Sequence, residues 1–368
     1  MNKNNEIEVL RAIGIIFVIM AHLNGFITWS PEWLSALYAH TYFWGGVDLF
    51  FCVSGFVITK SILNFFNENN NNTYWNNVFA FWVRRFYRLV PAALFFIIVK
   101  IFISFFIINT KYFGNFAPNV LDLISQIFHI SNLRYYYCVK GLSECGANSI
   151  YWSLSLEEQF YIFLPIAIFL LRKNVIYLLL AMIIIQFPIE RPMFSIGWVF
   201  RSDAIAWGCL IAIASQTNIY KLIKPQLLNK WWFRSCVSFA MLAGLSVFAR
   251  GEVLPFYIGM MAIPCAIMVW LSSYNEGLIF KHIRNSKTLL WVGSRSYSIY
   301  LTHTLGFYIA HHTTLVINET LSGKDTFRIL FFGALITIAL SEFSFRFIES
   351  PIRNKGRIIS KKIIERSE

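Results

Sequence analysis

Ten apolar segments divide this chain, and most are long enough to cross a lipid bilayer. A hydrocarbon core is ~30 Å thick, which an α-helix crosses in about 20 residues. The segments cover residues 9–28, 42–63, 89–108, 159–171, 175–187, 194–214, 235–249, 253–271, 289–310 and 328–347. The fourth and fifth are the shortest. This pattern predicts an all-α integral membrane protein with about ten transmembrane helices.

Composition supports this class of protein. The 368 residues are 57% hydrophobic and only 14% charged, which excludes an ordinary soluble domain. No small-residue cleavage site follows the first apolar segment, so we predict a retained helix and not a removed signal peptide.

The net charge of +13 would suggest nucleic-acid binding in a soluble protein. Here the basic residues concentrate in alternate loops, as the positive-inside bias requires, if both termini are cytoplasmic. We therefore predict no nucleic-acid partner and a multi-pass membrane protein with both termini cytoplasmic. The loops then assigned to the outside hold fewer cations, namely Lys111, Arg134, Lys140, Arg191, Arg250 and Lys324.

The predicted domain organisation is simple. Residues 1–350 form the membrane domain and residues 351–368 a basic cytoplasmic tail, while the Asn-rich residues 67–72 are a flexible linker. No Cys/His spacing typical of a metal site occurs, so we expect no metal. Cys138 and Cys145 lie in the one long polar loop, where a disulfide would form only if the loop faces an oxidising compartment; the sequence leaves this open.

Arg11 and His22 lie within the first apolar segment, and ionisable residues inside a membrane helix usually have a function. Eleven residues at ~100° each return to within ~20° of the same direction, so both side chains share one helix face, roughly 16 Å apart along the axis. An alternative role for Arg11 is an ion pair with Glu8 or Glu349.

Counting residues from the predicted helix ends sorts the buried polar groups into two layers. An isolated His303 or Asp203 could equally be a hydrogen-bonding contact between helices. The outer layer holds His22, His303, Asp48, Glu157, Arg201 and Asp203, and the inner layer holds Arg11, Arg84, Arg85, Arg88, Arg295 and Glu349.

Arg84, Arg85 and Arg88 stand just before the third segment, with Arg84 and Arg88 on one face and Arg85 beside them. They either anchor the protein to lipid headgroups or clamp a polyanion, because guanidinium groups suit phosphates. Pro91 is expected to loosen the start of the helix there.

Seven blocks of sequence, taken in order, resemble the acyltransferase-3 family of integral membrane acyltransferases, which includes O-antigen O-acetylases. The first block is Arg11 with His22, ten residues apart. The others are Gly45-Gly-Val-Asp-Leu-Phe-Phe-Cys-Val-Ser-Gly55, Arg84-Arg-Phe-Tyr-Arg-Leu-Val-Pro91, Tyr151-Trp-Ser-Leu-Ser-Leu-Glu-Glu-Gln-Phe-Tyr161, Phe200-Arg-Ser-Asp-Ala-Ile-Ala-Trp-Gly208, Gly293-Ser-Arg-Ser-Tyr-Ser-Ile-Tyr-Leu-Thr-His303 and Phe347-Ile-Glu-Ser-Pro351.

This resemblance implies a ten-helix domain that takes an acyl group, usually acetyl, from cytoplasmic acyl-coenzyme A and transfers it to a carbohydrate or glycolipid hydroxyl at the outer side. It implies essential roles for Arg11 and His22, and a role for the acid at Glu157, with Glu158 adjacent. Some family members carry a C-terminal SGNH hydrolase-like domain. This sequence ends after its tenth segment, so we expect any second step to belong to another protein.

The predicted mechanism assigns coenzyme A phosphates to Arg84, Arg85 and Arg88, with Arg11 as a further candidate. His22 is the expected general base, because imidazole is well suited to take a hydroxyl proton near neutral pH. Glu157 or Asp48 is expected to orient its ring, and an acyl-histidine intermediate is a further option. Candidates for stabilising the oxyanion, or for supporting the acceptor, are Arg201, Ser153 and Tyr161, with Glu158, Asp203 and His303 as further support residues.

The main alternative is a proton-coupled transporter built from the same ionisable residues, although no internal repeat is visible. A catalytically silent sensor or scaffold is less compatible with the intact Arg11 and His22 pair. The long polar loop, residues 109–151, is where we expect acceptor contacts, since aromatic faces such as Tyr135, Tyr136 and Tyr137 suit sugar rings. A tyrosine run is also typical of an interfacial belt.

Overall fold

The computed structural model describes residues 4–27, 29–106, 112–250, 254–318 and 321–365. Across these ranges the chain forms seventeen α-helices, joined by short 3-10 and π segments, and no β-strand. The helices are α1 Asn5–Phe26, α2 Glu32–His40, α3 Gly45–Ser61, α4 Asn71–Phe106, α5 Phe116–Ile127, α6 Ser131–Val139, α7 Tyr151–Leu171, α8 Val175–Gln186, α9 Ile196–Val199, α10 Asp203–Ala214, α11 Asn218–Leu222, α12 Trp231–Val247, α13 Tyr257–Ser273, α14 Lys287–Ser294, α15 Ser296–Asn318, α16 Thr326–Phe343 and α17 Ser350–Glu365.

The predicted all-α membrane fold is confirmed. Five helical stretches are long and apolar enough to cross a membrane, or six if the bent pair of α2 and α3 is one span, within the part of the chain that the structure describes. The shorter helices α12 and α13 are also apolar. Every predicted segment lies on one or two helices, although Thr28, residues 107–108 and Val253 at segment edges lie outside the described residues.

One of these stretches runs from Tyr151 to Gln186 and is broken at Arg172, where φ is 50°. Trp152, near the start of α7, packs against Trp198, and their ring centroids are 4.4 Å apart. Gln186, at the end of α8, donates a 2.9 Å hydrogen bond to Ser202. Both outer ends of the stretch therefore lie beside the start of α10, and α8 runs back along α7. This geometry supports the prediction of two separate segments here.

The third predicted segment begins too late. Helix α4 starts at Asn71 and continues through Pro91, so the arginines at 84, 85 and 88 lie in a helix interior. Pro91 does not mark a loosened helix start, and only part of the Asn-rich patch, predicted as a flexible linker, lies outside helices. The predicted segment covers only the apolar part of α4, whereas the helix begins in a polar stretch that contains the poor helix formers Asn71, Asn72, Asn76 and Asn77.

Helices α3 and α10 cross with their backbones in close approach. A Cβ atom on Gly55 would lie 2.1 Å from the carbonyl oxygen of Ile205, and one on Gly208 would lie 2.0 Å from that of Cys52. Small residues permit such contacts between membrane helices. The crossing brings Asp48, near the start of α3, to Arg201, just before α10.

The long polar loop contains the helices α5 and α6, which sequence analysis treated as a single irregular connection. A disulfide joins Cys138, at the end of α6, to Cys145. The disulfide holds the segment that leads back to α7 against α6.

The basic tail is helical through Glu365, and residues 366–368 lie outside the described residues. Gly356 of this helix lies against Tyr87 of α4, where an added Cβ would be 2.4 Å from that side chain. The tail therefore packs onto the membrane helices near the arginine group. Its separation from residues 1–350 as a distinct cytoplasmic unit stays a prediction.

Candidate active site

A cavity of about 780 Å³ lies between helices α1, α3, α4, α7 and α15, and it contains three of the cations of the predicted inner layer. Arg11, Arg85 and Arg88 line it, together with the hydroxyl groups of Ser54, Ser153, Tyr161, Ser296, Tyr297 and Tyr300 and the carboxylate of Glu157. We call it the arginine cavity. Its walls can hold a polyanion and can also donate hydrogen bonds.

Arg84 is not part of this wall. Arg85 and Arg88 are three residues apart and face the cavity, whereas Arg84 points elsewhere on α4. Arg85 is held by a 3.3 Å hydrogen bond to Ser61 and lies over the ring of Tyr161, with its guanidinium carbon 5.5 Å from the centroid. The structure therefore brings Arg85 and Arg88, but not Arg84, to the cavity, and the role of these arginines in binding a polyanion stays a prediction.

Arg11 belongs to both of its predicted environments. Its guanidinium lies 3.6 Å from Glu8, one turn earlier on α1, and it also lines the arginine cavity. Glu349, the other predicted partner, accepts a 2.9 Å hydrogen bond from Ser298 and one of 3.3 Å from Arg353. The pair with Glu8 orients Arg11 toward the cavity.

Glu157 lies in the arginine cavity and not in the outer layer with His22. Its carboxylate accepts hydrogen bonds from Ser54 and Tyr161. The sequence placed it at the head of a helix starting at residue 159, but α7 starts at Tyr151, so Glu157 lies about 9 Å along the helix from its first residue.

The structure also separates Glu157 from Glu158, which sequence analysis could not do. Consecutive residues on a helix point ~100° apart. Glu158 faces away from the arginine cavity, toward the α5–α6 connection, where it contacts His129 at 2.7 Å and accepts a 2.8 Å hydrogen bond from Gln126. Glu157 is therefore the acid of this block that can contact a ligand in the cavity.

A second cavity, of about 650 Å³, adjoins the first and contains His22. The two cavities share Val47 and Tyr300 in their walls. We call the second one the histidine cavity; its other lining side chains include Trp44, Tyr135, Trp152, Trp198 and Arg201. The polar groups thus divide into two adjoining spaces, one rich in arginine and one aromatic.

The hydrogen bond of His22 defines its tautomer. Its Nδ1 lies 2.7 Å from the backbone oxygen of Val18, which can only accept, so Nδ1 carries the proton and Nε2 has a free lone pair when the ring is neutral. Asp48 and Glu157 have other partners, so the prediction that one of them orients this ring is wrong. The backbone of α1 orients it instead.

The nearest ring to His22 is that of His303 on α15, with centroids 5.1 Å apart. His303 is fully buried, and its Nδ1 lies 2.8 Å from the backbone oxygen of Tyr300, so its Nε2 also carries a lone pair. That Nε2 atom has no hydrogen-bond partner among the described residues. His303, which the sequence gave only a supporting role, is thus the direct neighbour of His22.

The two outer acids form buried ion pairs. Asp48 accepts hydrogen bonds of 2.9 and 3.1 Å from Arg201, whose guanidinium also lies 4.3 Å from the ring centroid of Trp198. Asp203 accepts a 2.7 Å hydrogen bond from Arg191. Arg201 and Asp203 are close in sequence but bind different partners. Arg201 lines the histidine cavity and so stays a candidate for stabilising the oxyanion. Ser153 and Tyr161, the other two candidates, line the arginine cavity.

Sequence analysis missed several residues of this region. Lys100 on α4 is fully buried and donates hydrogen bonds of 3.0 Å to the backbone oxygen of Ala147 and 3.1 Å to Thr304, beside His303. The criterion that singled out Arg11 would have found it, since a lysine inside an apolar segment is equally costly. Tyr300 and Ser54 carry no such sequence signal, because hydroxyl residues are common in membrane helices.

Within the ranges that the structure describes, no group of three or more His, Cys, Asp or Glu side chains is placed to hold a metal ion. Independently of this, His22 presents a free Nε2 lone pair in the histidine cavity, a position from which an imidazole can exchange protons with a ligand.

Comparison with known proteins identifies the family. The profile described as an acyltransferase domain, of the acyltransferase-3 type, matches residues 4–342. The chain belongs to the acyltransferase-3 family. The matched range includes the arginine cavity and the histidine cavity, so both are features of the acyltransferase-3 domain of this chain.

Curated relatives of this acyltransferase-3 chain are O-acetyltransferases by name. It is 28% identical over 387 residues to the O-acetyltransferase OatA of Staphylococcus aureus, covering 95% of this chain and 57% of the relative. It is 32% identical over 387 residues to the peptidoglycan O-acetyltransferase OatA of Listeria monocytogenes, covering 96% and 56%. A putative O-acetyltransferase of Staphylococcus aureus is 26% identical over 378 residues, covering 95% and 57%.

The chain therefore spans little more than half the length of these relatives. No solved structure matches it.

Proposed function

We propose that this chain is a membrane-bound O-acyltransferase that moves an acyl group, in the simplest case acetyl, from acyl-coenzyme A to a carbohydrate hydroxyl. The observation that carries the proposal is the contact between the two cavities: a polycationic space and a histidine-containing space share Val47 and Tyr300. Such an arrangement suits a donor with a phosphate-rich end and a long thin arm that ends in the reacting thioester.

The arginine cavity is the proposed donor site. Arg85 and Arg88, with Arg11 across the cavity, offer guanidinium groups to phosphate oxygens, and Arg–phosphate hydrogen bonds are among the strongest in proteins. The positive-inside bias favours the side of the arginines as the cytoplasmic one. The pantetheine arm then passes Tyr300 toward His22.

His22 is the proposed general base. Its Nε2 lone pair takes the proton of the acceptor hydroxyl as that oxygen attacks the thioester carbonyl. The carbon–sulfur bond then breaks, the proton returns from His22 to the leaving thiolate, and the products are the O-acyl ester and free coenzyme A. Arg201, in the same cavity, is the proposed donor to the developing oxyanion.

The names of the relatives support a carbohydrate acceptor and an acetyl group. The Listeria monocytogenes relative is a peptidoglycan O-acetyltransferase by name, so we propose a glycan of that kind as the first acceptor to test. A glycolipid acceptor is the next candidate. We also propose that the protein lies in a bacterial inner membrane, because its relatives are bacterial proteins and several of its helices are long enough to cross a membrane.

The test uses the purified full chain in lipid nanodiscs with acetyl-coenzyme A and glycan fragments. We expect acceptor-dependent release of free thiol together with an acetylated glycan, and His22→Ala should lower kcat by at least ~10²-fold. His40→Ala, which changes an exposed histidine on α2, is the matched control.

Two results would contradict the proposal. Full activity of His22→Ala would remove the proposed base, and solute or proton flux without thiol release would favour the transporter alternative.

A further inference from the structure

A third cavity, of about 890 Å³, continues the histidine cavity outward. The two share Trp44, Trp198 and Arg201. We call the third one the outer cavity. Its wall adds Tyr42 and Tyr257 and the carboxylate of Glu190, so three spaces follow one another from the arginines to this mouth.

We infer that the histidine cavity and the outer cavity are two adjacent carbohydrate subsites. The first holds the sugar unit that is acylated, and the second holds the next unit of the same glycan chain. This inference rests on the proposed function and adds to it the class of acceptor, an oligosaccharide in place of a single sugar or an alcohol with an alkyl chain.

The chemistry of the walls carries the argument. Trp44 is half-buried and lines both the histidine cavity and the outer cavity. The centroid of its ring lies 6.5 Å from that of His22. Indole and phenol rings present flat, polarisable faces to the C–H faces of sugar rings, and their edges exclude water from the hydroxyl to be acylated. An acceptor stacked on Trp44 would have a hydroxyl beside His22.

The polar groups of the outer cavity also suit a glycan. Glu190 is exposed and can accept hydrogen bonds from sugar hydroxyls. Tyr42 is positioned by its backbone N–H, which donates a 2.9 Å hydrogen bond to Ser246, and by the guanidinium of Arg250, 5.7 Å from its ring centroid. An alkyl chain could not donate a hydrogen bond to Glu190, whereas a sugar hydroxyl can.

His22 lines the histidine cavity, whereas Tyr42 and Glu190 line the outer cavity. A sugar unit that reacts at His22 therefore leaves the outer cavity open for the next unit of the same chain.

The test compares acetyl transfer to N-acetylglucosamine with transfer to its β-1,4-linked tetramer, on the full chain in nanodiscs. We expect wild type to prefer the tetramer in kcat/KM. Tyr42→Ala and Glu190→Gln should each reduce that preference, Tyr42→Ala by about tenfold, while monomer transfer and acetyl-coenzyme A affinity stay unchanged. Tyr177→Ala, an exposed tyrosine on α8 away from all three cavities, is the control.

The outcomes separate this inference from the proposed function. Equal use of the monomer and tetramer by wild type, or equal losses for both acceptors in Tyr42→Ala and Glu190→Gln, would overturn the two-subsite inference and leave the acyltransferase proposal standing. Absence of thiol release and of acetylated product with every acceptor would instead contradict the acyltransferase proposal. Glu190→Gln is an exposed, nearly isosteric change, so its result does not depend on whether Tyr42→Ala folds.

Discussion

The imidazole rings of His22 and His303 lie with their centroids 5.1 Å apart, although their helices come from opposite ends of the chain. Each ring is fixed in the same way, through a hydrogen bond from Nδ1 to a backbone oxygen of its own helix. Each neutral ring therefore turns the lone pair of Nε2 away from its own helix backbone. His303 takes the neighbouring position that an acid was expected to fill.

His303→Phe should lower kcat by about tenfold or more with little change in donor affinity. Phenylalanine preserves the ring packing but removes the Nε2 lone pair of His303. The partial negative charge of that nitrogen favours a positive charge on the neighbouring His22 during the reaction. The measurement is steady-state transfer with acetyl-coenzyme A titrated at saturating glycan. The same change at His312, further along α15, should have little effect, and equal losses in both variants would reduce His303 to a packing residue.

Arg85→Ala combined with Arg88→Ala should raise the Kd for acetyl-coenzyme A by at least ~10-fold, because two phosphate-binding groups are lost. Acceptor preference should not change. Isothermal titration with purified protein measures the effect. Arg84→Ala is the matched control, since Arg84 is the neighbouring arginine outside the cavity wall; a similar weakening by Arg84→Ala would indicate a general surface-charge effect.

Glu157→Gln should impair transfer, while Glu158→Gln should spare the chemical step. The carboxylate of Glu157 is hydrogen-bonded to Ser54 and Tyr161 in the donor cavity, whereas that of Glu158 binds His129 and Gln126 outside it. We expect a kcat/KM for acetyl-coenzyme A lower by roughly tenfold in Glu157→Gln. The opposite order of effects would assign the functional acid to Glu158.

Stability should depend on pH through His129, which lies in the connection between α5 and α6. The hydrogen bond to Glu158 raises the pKa of His129 above its ordinary value of 6.5. A raised pKa means that the folded state binds the proton more tightly, so the stabilisation is complete below pH 6.5 and is lost as the pH rises through the raised pKa.

The measurement is the thermal unfolding temperature in nanodiscs from pH 5.5 to pH 9. It compares wild type with His129→Gln, Glu158→Gln and the double variant. The coupling between the two residues should be largest at the acidic end. A coupling that is constant with pH would show that His129 contributes only as a neutral hydrogen-bonding group.

The disulfide between Cys138 and Cys145 should leave four titratable thiols in the unreduced, denatured protein. Cys52, Cys209, Cys236 and Cys265 are free. Maleimide labelling followed by mass spectrometry should find four adducts before reduction and six after it. Cys138→Ser should expose Cys145 as a fifth thiol, and six adducts without reduction would show that the bond does not form in the membrane protein.

Much of the fold was predictable from local chemistry. Apolar stretches of bilayer length predict membrane helices because unpaired backbone groups are too costly in hydrocarbon, and each predicted segment does lie on a helix. Helix starts were less predictable, as α4 and α7 show, since both helices begin several residues before the apolar segment that predicted them. The late start assigned to α7 alone placed Glu157 in the wrong layer.

The amino-acid pattern was sufficient for the membrane class, the family resemblance and the importance of Arg11 and His22, because each depends on residue types and spacings within short stretches. The pairing of His22 with His303, the separation of Glu157 from Glu158 and the selection of Arg85 over Arg84 needed the tertiary structure. These depend on how helices distant in sequence rotate and pack against one another, and a rotation of ~100° moves a side chain from one cavity to another surface. Helix–helix packing, and not sequence spacing, decides which groups share a cavity.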